Sequence, residues 1–312
     1  MDLLQQVING LSLGALYALI AVGYTVVYGI VQLINFAHGE IFMIGAFGSL
    51  TVWLLVGRES VGLWLLPLMM IGGIAAGVGV ALLTERFAYR PLRHAPRLAP
   101  LITAIGVSIF LQEFVRLMFG RIPTFPDAKS ALPFPQIDVV TGPAVNLGGV
   151  LIQRGSLFTL VALVVCAALL YFFVNRTRLG RAMQATSQDP DTSRLMGINV
   201  DRIIMVAFAL GAALAAVAGL AWGFRYTNID FRMGFLAGLK AFTAAVLGGI
   251  GNINGAVLGG LVLGLVEVLA TSYIPGTFGG SAWKDVWAFV LLILVLVFRP
   301  QGLLGARVVD RA

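Results

Sequence analysis

The sequence predicts an all-α, polytopic integral membrane protein of about eight or nine transmembrane helices, two of them next to broken segments. Two observations carry this. Composition is the first: 59% of residues are hydrophobic, 11% are charged and the mean hydropathy is +0.94, whereas soluble domains carry about 25% charged residues. One globular core does not bury that much apolar surface, so lipid must solvate a large part of it. The second is the placement of ionisable residues. Stretches 61–83, 157–174 and 203–224 contain no Asp, Glu, Lys, Arg or His, and each is near the roughly 20 residues that cross a hydrocarbon core as helix.

Along the chain, spans are expected at 8–30, 39–56, 61–83, 100–119, 157–174, 203–224, 235–250, 255–273 and 283–298, within one transmembrane domain covering 1–312. The first stays in the mature protein, because Met1-Asp2-Leu3 lacks a basic n-region and the uncharged run 3–37 is too long for a signal-peptide core. The flawed spans carry a glycine break, a single carboxylate or a short length. In the last, only 286–298 is continuously apolar, so it draws on Trp283 and on snorkelling by Lys284 and Arg299. Cys166 lies alone in an apolar span; it can make no intrachain disulfide and reads as a small packing residue.

The net charge of +7 is an orientation signal and not a nucleic-acid footprint. Segments 84–99, 175–202 and 299–312 hold 12 of the 21 Lys and Arg, which by the positive-inside rule makes them cytoplasmic. The C-terminus is then cytoplasmic, and counting back through three crossings puts the N-terminus on the external side.

Three loops are long enough to carry function, and 120–156 is the largest. Loop 120–156 contains Pro123, Pro126, Pro133, Pro135 and Pro143 with Phe125 and Phe134 between them, which predicts an ordered external cap. It reads either as a docking surface for an external partner or as a plain linker. Loop 175–202 predicts a helix of about two turns in DPDTSRLMG. Asp189 suits the N-cap, Pro190 the first helical position, Asp191 the positive end of the dipole and Gly197 the C′ stop. A capped helix between two secure spans is a natural contact for a cytosolic protein that pushes on the membrane domain, and the plainer reading is a solvated basic turn.

Residues 28–46 (YGIVQLINFAHGEIFMIGA) and 248–260 (GGIGNINGAVLGG) form a weak repeat. Each has glycine-isoleucine, an asparagine and then a glycine restarting an apolar run. Gly-broken segments in corresponding halves of a transporter point to a substrate path, because freed backbone groups are tolerated only beside a cavity or within protein. The breaks are expected near 31–40 and 248–255, with Asn35, Phe36, His38, Gly39, Glu40, Gly249, Asn252 and Asn254 as candidates for the path or its gate. His38 and Glu40 stand out as ionisable groups in an otherwise uncharged run; the plain alternative is a satisfied structural pair. Glu113 and Arg116 lie three apart on one helix and should neutralise each other, while Glu267 has Lys240 as a candidate counter-ion.

The chain contains no GxxxxGK[ST], no HExxH, no Cys/His cluster and no GxSxG. A P-loop ATPase, a metal enzyme and an intramembrane protease each need one of these, so neither a catalytic residue nor a metal site is expected.

NFAHGE after the first span, NRTRLGRAMQATSQDPDTSRLMGINVDR in the cytoplasmic loop and GLKAFTAAVLGGIGNINGAVLGG near the C-terminus together resemble the LivH-type permeases of branched-chain amino acid ABC importers, over essentially the whole chain. The resemblance implies an ABC importer permease fold in a bacterial inner membrane. Its implied partners are a second LivM-like permease, two cytosolic ATP-binding subunits that use the ATP, and a periplasmic substrate-binding protein. No cofactor is implied in this chain. The cytoplasmic loop also resembles the EAA---G coupling loop of ABC importers: Asp191, Thr192 and Ser193 replace Glu-Ala-Ala and Gly197 keeps the glycine, so Asp189, Asp191, Thr192, Ser193, Arg194 and Gly197 are the expected coupling set. Urea permeases carry a similar AHGE motif, and apolar lining by Phe36, Phe42 and Met43 would favour leucine-like side chains over urea. A secondary transporter is the rival from another class, with Glu40, Glu113 and Glu267 as its candidate ion-coupling carboxylates.

Overall fold

The computed structural model describes residues 2–57, 62–93, 95–96, 98–123, 125–147 and 150–305. Val61 of the third expected span, His94 and Arg97 of the first basic segment, Thr124, Gly148 and Gly149 of the external loop, and residues 306–312 of the C-terminal segment lie outside the described residues.

The chain folds as helices α1 (Asp2–Val31), α2 (His38–Val56), α3 (Leu65–Thr84), α4 (Leu98–Met118), α5 (Arg154–Arg176), α6 (Arg178–Gln188), α7 (Pro190–Leu195), α8 (Val200–Tyr226), α9 (Met233–Gly248), α10 (Ile253–Tyr273) and α11 (Lys284–Phe298). Among the described residues, eight helices are long and apolar enough to cross a membrane, and α9 is a shorter apolar helix. Each expected span coincides with one helix, and both expected breaks occur, at 32–37 and 249–252.

Helices α1, α2 and α8 form the buried centre. Lipid offers no hydrophobic drive for helices to associate, so backbones that approach closely must supply dispersion contact through small residues. Helices α1 and α10 do this antiparallel: a Cβ built on Gly264 would fall 2.2 Å from the Gly14 nitrogen, and one on Gly260 would fall 2.5 Å from Ala18 Cα. Helix α2 runs between α3, α8 and α9, with the Phe42 ring edge-on to Trp222 at 5.7 Å. Helices α4, α5 and α11 lie outside this centre and present Ile109, Phe110, Leu169, Phe172, Val297 and Phe298 outward, the arrangement expected where the solvent is lipid.

The two ends of the bundle differ in chemistry. At one end the loop 120–156 folds over the start of α1 and the end of α8. Phe125 and Phe134 are buried, the Phe134 ring packs on Phe224 at 5.4 Å, and Gln5 exchanges hydrogen bonds with the Leu151 carbonyl (3.0 Å) and amide (2.7 Å). Two short antiparallel pairs pin the loop: β1 (Leu132–Pro133) with β4 (Asn228–Ile229), and β2 (Pro143–Leu147) with β3 (Val150–Gln153). Arg225 closes the same end by donating to Ser12 and to Ser156. The opposite end carries Arg90, Arg93, Arg176, Arg178, Arg181, Arg194 and Arg202, on the foot of α3, the end of α5, α6, α7 and the start of α8.

Helix α6 was not expected. Its sequence, RLGRAMQATSQ, is polar on one side and buries Gly180, Met183 and Thr186 on the other. Thr177 caps it, its Oγ1 accepting from Gly180 N–H at 3.0 Å.

Candidate functional site

Residues 32–37 fold back into the protein. Gln32 adopts φ 52° and reverses the chain, and α2 then starts beside Gly23 of α1, where a Cβ would meet His38 Nε2 at 2.5 Å. Gly23 lies about 12 Å before the end of α1 at 1.5 Å per residue, so α2 begins well inside the bundle. The Asn35 side-chain oxygen accepts from the Tyr89 hydroxyl at 2.7 Å. The Phe36 ring lies 5.6 Å from that of Phe242, and the His38 ring meets Tyr24 edge-on at 4.6 Å. Tyr24, Tyr28, Asn35, His38, Phe242 and Ile250 line a narrow, closely packed cavity. The two breaks therefore meet here, through Ile250.

Glu40 is fully buried one helical step beyond. Its Oε1 accepts from Ser108 Oγ (2.9 Å) and Gln112 Nε2 (2.8 Å), both from α4; its Oε2 has no hydrogen-bond partner among the described residues. Gly39 allows this depth, since a Cβ there would fall 2.3 Å from the Gly234 carbonyl oxygen and 2.8 Å from Gly238 Cα of α9. Ser108 and Gln112 were not foreseen, although their i, i+4 spacing on an apolar helix marks a polar stripe aimed at one neighbour.

Most of the second break faces elsewhere. Gly249 packs against the Gln301–Gly305 backbone. Asn252 caps α10, its Oδ1 accepting from Gly255 N–H at 3.2 Å, and donates to the Leu304 carbonyl at 2.9 Å. Asn254 is exposed beside Tyr171 and Asn175. These three residues close the basic end of the bundle and do not border the cavity. Phe42 and Met43 are likewise buried in the packed core, so of the expected apolar lining only Phe36 stays near it.

The remaining buried charges pair. Glu267, 0% exposed, accepts from Tyr17 Oη at 3.2 Å and from Lys240 Nζ at 3.0 Å, and Lys284 Nζ lies 3.2 Å away. Asp285 completes the cluster on Lys240. Outside this buried set, the half-exposed Glu113 and Arg116 form the expected couple, with Arg116 Nε donating at 2.7 Å.

The cytoplasmic-loop helix forms with both ends marked. Asp189 Oδ1 accepts from the Asp191 and Thr192 amides at 2.9 and 3.0 Å. Thr192, through its hydroxyl and its amide, holds the Asp189 carboxyl below the usual carboxylate range. At the other end Gly197 takes φ +82°, its N–H donating to Arg194 C=O and Ile198 N–H to Ser193 C=O, each at 3.0 Å. These are the paired bonds of a Schellman stop, which need a left-handed residue at that position. Ser193 is buried against the bundle, and Arg194 pairs with Asp191 at 2.7 Å. Beyond them Leu195 and Met196 stand 88% and 79% exposed. Two bare apolar side chains at the tip of a polar turn were missed in the sequence, where they look like the buried face of the helix.

Residues 6–296 match the family described as the branched-chain amino acid transport system permease component. The chain is 47% identical over 318 residues to the high-affinity branched-chain amino acid transport system permease protein BraD of Pseudomonas aeruginosa, covering 99% of this chain and 97% of that protein. It is 43% identical over 312 residues to the high-affinity permease protein LivH of Escherichia coli K12, with the same coverage of 99% and 97%. A probable LivH permease of Methanocaldococcus jannaschii is 27% identical over 93% of this chain and 89% of its own length. With its helices, its two breaks and its near-complete match to these relatives, the chain belongs to the branched-chain amino acid transport permease family.

Proposed function

We propose that this chain is a membrane-spanning permease subunit of an ATP-driven importer and forms part of the translocation path for branched-chain amino acids. Separate ATPase subunits energise it, and a second LivM-like permease and an external binding protein complete the assembly. The basic end, with α6 and α7, faces the cytosol, as does the C-terminus; the N-terminus and the 120–156 cap face outward, where the cap serves the binding protein. The observation that carries the energy coupling is α7. A short helix fixed at both ends and seated by Ser193 presents Leu195 and Met196 bare to solvent, and exposed apolar anchors on a rigid element are what a partner's pocket takes up. Closure of the ATPase pair moves α7, and α5 and α8 on either side of the loop move with it. Tyr24, Asn35, Phe36, His38, Gly39 and Glu40 are the proposed path or gate. The ATP is bound by the partners and no cofactor by this chain.

The test is reconstitution of the complete complex in proteoliposomes with uptake of leucine and urea measured side by side. ATP-dependent leucine uptake with no urea uptake is expected, and Leu195→Asp should remove ATPase attachment and uptake together. Urea uptake would overturn the substrate, and accumulation by the chain alone would overturn the importer reading.

A further inference from the structure

Short backbone links and side-chain bonds together connect the foot of α7 to the first break. Gly197 and Asn199 join α7 to α8, and Asn199 Oδ1 accepts from Arg202 N–H at 3.0 Å, fixing the first turn of α8. In that turn Asp201 is held by both Arg90 and Arg93, which follow α3. Arg93 also pairs with Glu85, a carboxylate with no solvent exposure. Glu85 opens a π turn, Glu85–Tyr89, closed by Arg90 N–H donating to the Glu85 carbonyl. The same turn carries Tyr89, whose hydroxyl donates to Asn35 in the break.

Three features set this run apart from an ordinary brace. A buried carboxylate is costly unless its cation stays with it, so Glu85 and Arg93 move as a unit. A π turn is an irregularity of the helix ladder that is found preferentially at functional sites. Finally, the backbone bonds of residues 32–37 lie at the ends of the segment: Gln32 N–H donates to Tyr28 C=O, His38 N–H to Asn35 C=O, and Glu40 and Ile41 N–H to Ala37 C=O. Tyr89 grips the middle of that segment from outside, beside the cavity that His38 and Asn35 line.

We propose that this run is the route by which displacement of α7 reaches the first break, with Tyr89 the positioning residue for Asn35 and Asp201 the joint between the start of α8 and the π turn. The inference rests on the reading of α7 as the ATPase contact. A shift of α8 at Asp201 drags both arginines; Glu85 and its turn follow, and Tyr89 carries Asn35 with it.

The test is the complete complex in proteoliposomes, with ATP hydrolysis and leucine uptake measured on the same vesicles. Tyr89→Phe keeps the ring against Phe208, at 5.6 Å, and removes only the hydroxyl. Uptake should fall on the order of tenfold while hydrolysis stays within about twofold, so that ATP is spent without transport. Asp201→Asn, altered on a half-exposed side chain, should uncouple in the same way, and the double variant should be no worse than the weaker single because both lie on one route. Unchanged uptake per ATP in Tyr89→Phe overturns the proposal. So does a proportional fall of hydrolysis and uptake, the mark of a purely structural bond, and so does an additive loss in the double variant. Failure of the underlying reading is visible separately, as ATPase attachment that survives Leu195→Asp.

Discussion

Lys240 of α9 and Glu267 of α10 form a buried ion pair, Nζ to Oε1 3.0 Å, with side chains 5% and 0% exposed. Both charges left water to make it, so the pair itself adds little to stability, but losing one member strands the other. Lys240→Met should therefore destabilise the fold by about 3 kcal/mol, softened because Lys284 also reaches Glu267. Adding Glu267→Gln to that variant should recover part of the loss, since the fully buried side chain at 267 is then neutral. Thermal unfolding in nanodiscs checks both, and a double variant weaker than Lys240→Met alone would show that the cluster stabilises as a whole.

Gly39 and Gly79 are both helical glycines and should respond oppositely to alanine. At Gly39 the new methyl would meet the Gly234 carbonyl and Gly238 Cα, both backbone, and at Gly79 it would meet nothing within 4 Å. Gly39→Ala must push α2 off α9, an overpacking cost of about 1–3 kcal/mol, and uptake should fall with it. Gly79→Ala should be neutral or stabilise by up to about 1 kcal/mol through helix propensity. Unfolding midpoints measured together separate the two.

The contrast explains what could be read from the sequence. Every span was legible because apolar length is a local property, and α7 was legible because Asp189, Pro190 and Gly197 each serve a fixed position around one short helix. The break at 32–37 was legible through His38 and Glu40, whose charge is anomalous in an apolar run. What Asn35, Phe36 and Glu40 touch was not: Ser108, Gln112, Tyr89 and Phe242 are brought in by tertiary packing over long sequence distances. The repeat misled in part. It located two turns that meet at Ile250, but Gly249 and Asn252 serve helix capping and the C-terminal segment, which the same residue types signal equally well, and Asn254 is exposed. Helix α6 hid because a polar stretch gives little hydropathy signal even when one face is buried.

Gly197 sits at φ +82° with open space around a would-be Cβ, so the effect of substitution there is conformational and not steric. Gly197→Val forces a β-branched residue into the left-handed region, a strain of about 1–3 kcal/mol, and should unwind the Schellman stop. Gly197→Asn, which tolerates that region, should retain most uptake. Subunit assembly followed by co-purification should be unaffected in both, and normal uptake by Gly197→Val would count against α7 as a lever.

Asp189 supplies the charge at the start of α7, and its carboxyl is held below the ordinary value by Thr192. A group depressed in the folded state contributes fully above its unfolded pKa, about 4 for aspartate, and loses that contribution only as pH falls through the lower folded value. The cap is therefore fully ionised at every physiological pH. Asp189→Ala should weaken uptake by the same factor from about pH 6 to about pH 8, because nothing in the cap titrates there. Asp189→Asn keeps an acceptor for the Asp191 and Thr192 amides and should lie between the two. Uptake measured across that range for all three proteins decides it: a ratio that drifts with pH would mean that a histidine or another shifted group, and not the Asp189 cap, governs the stability of α7.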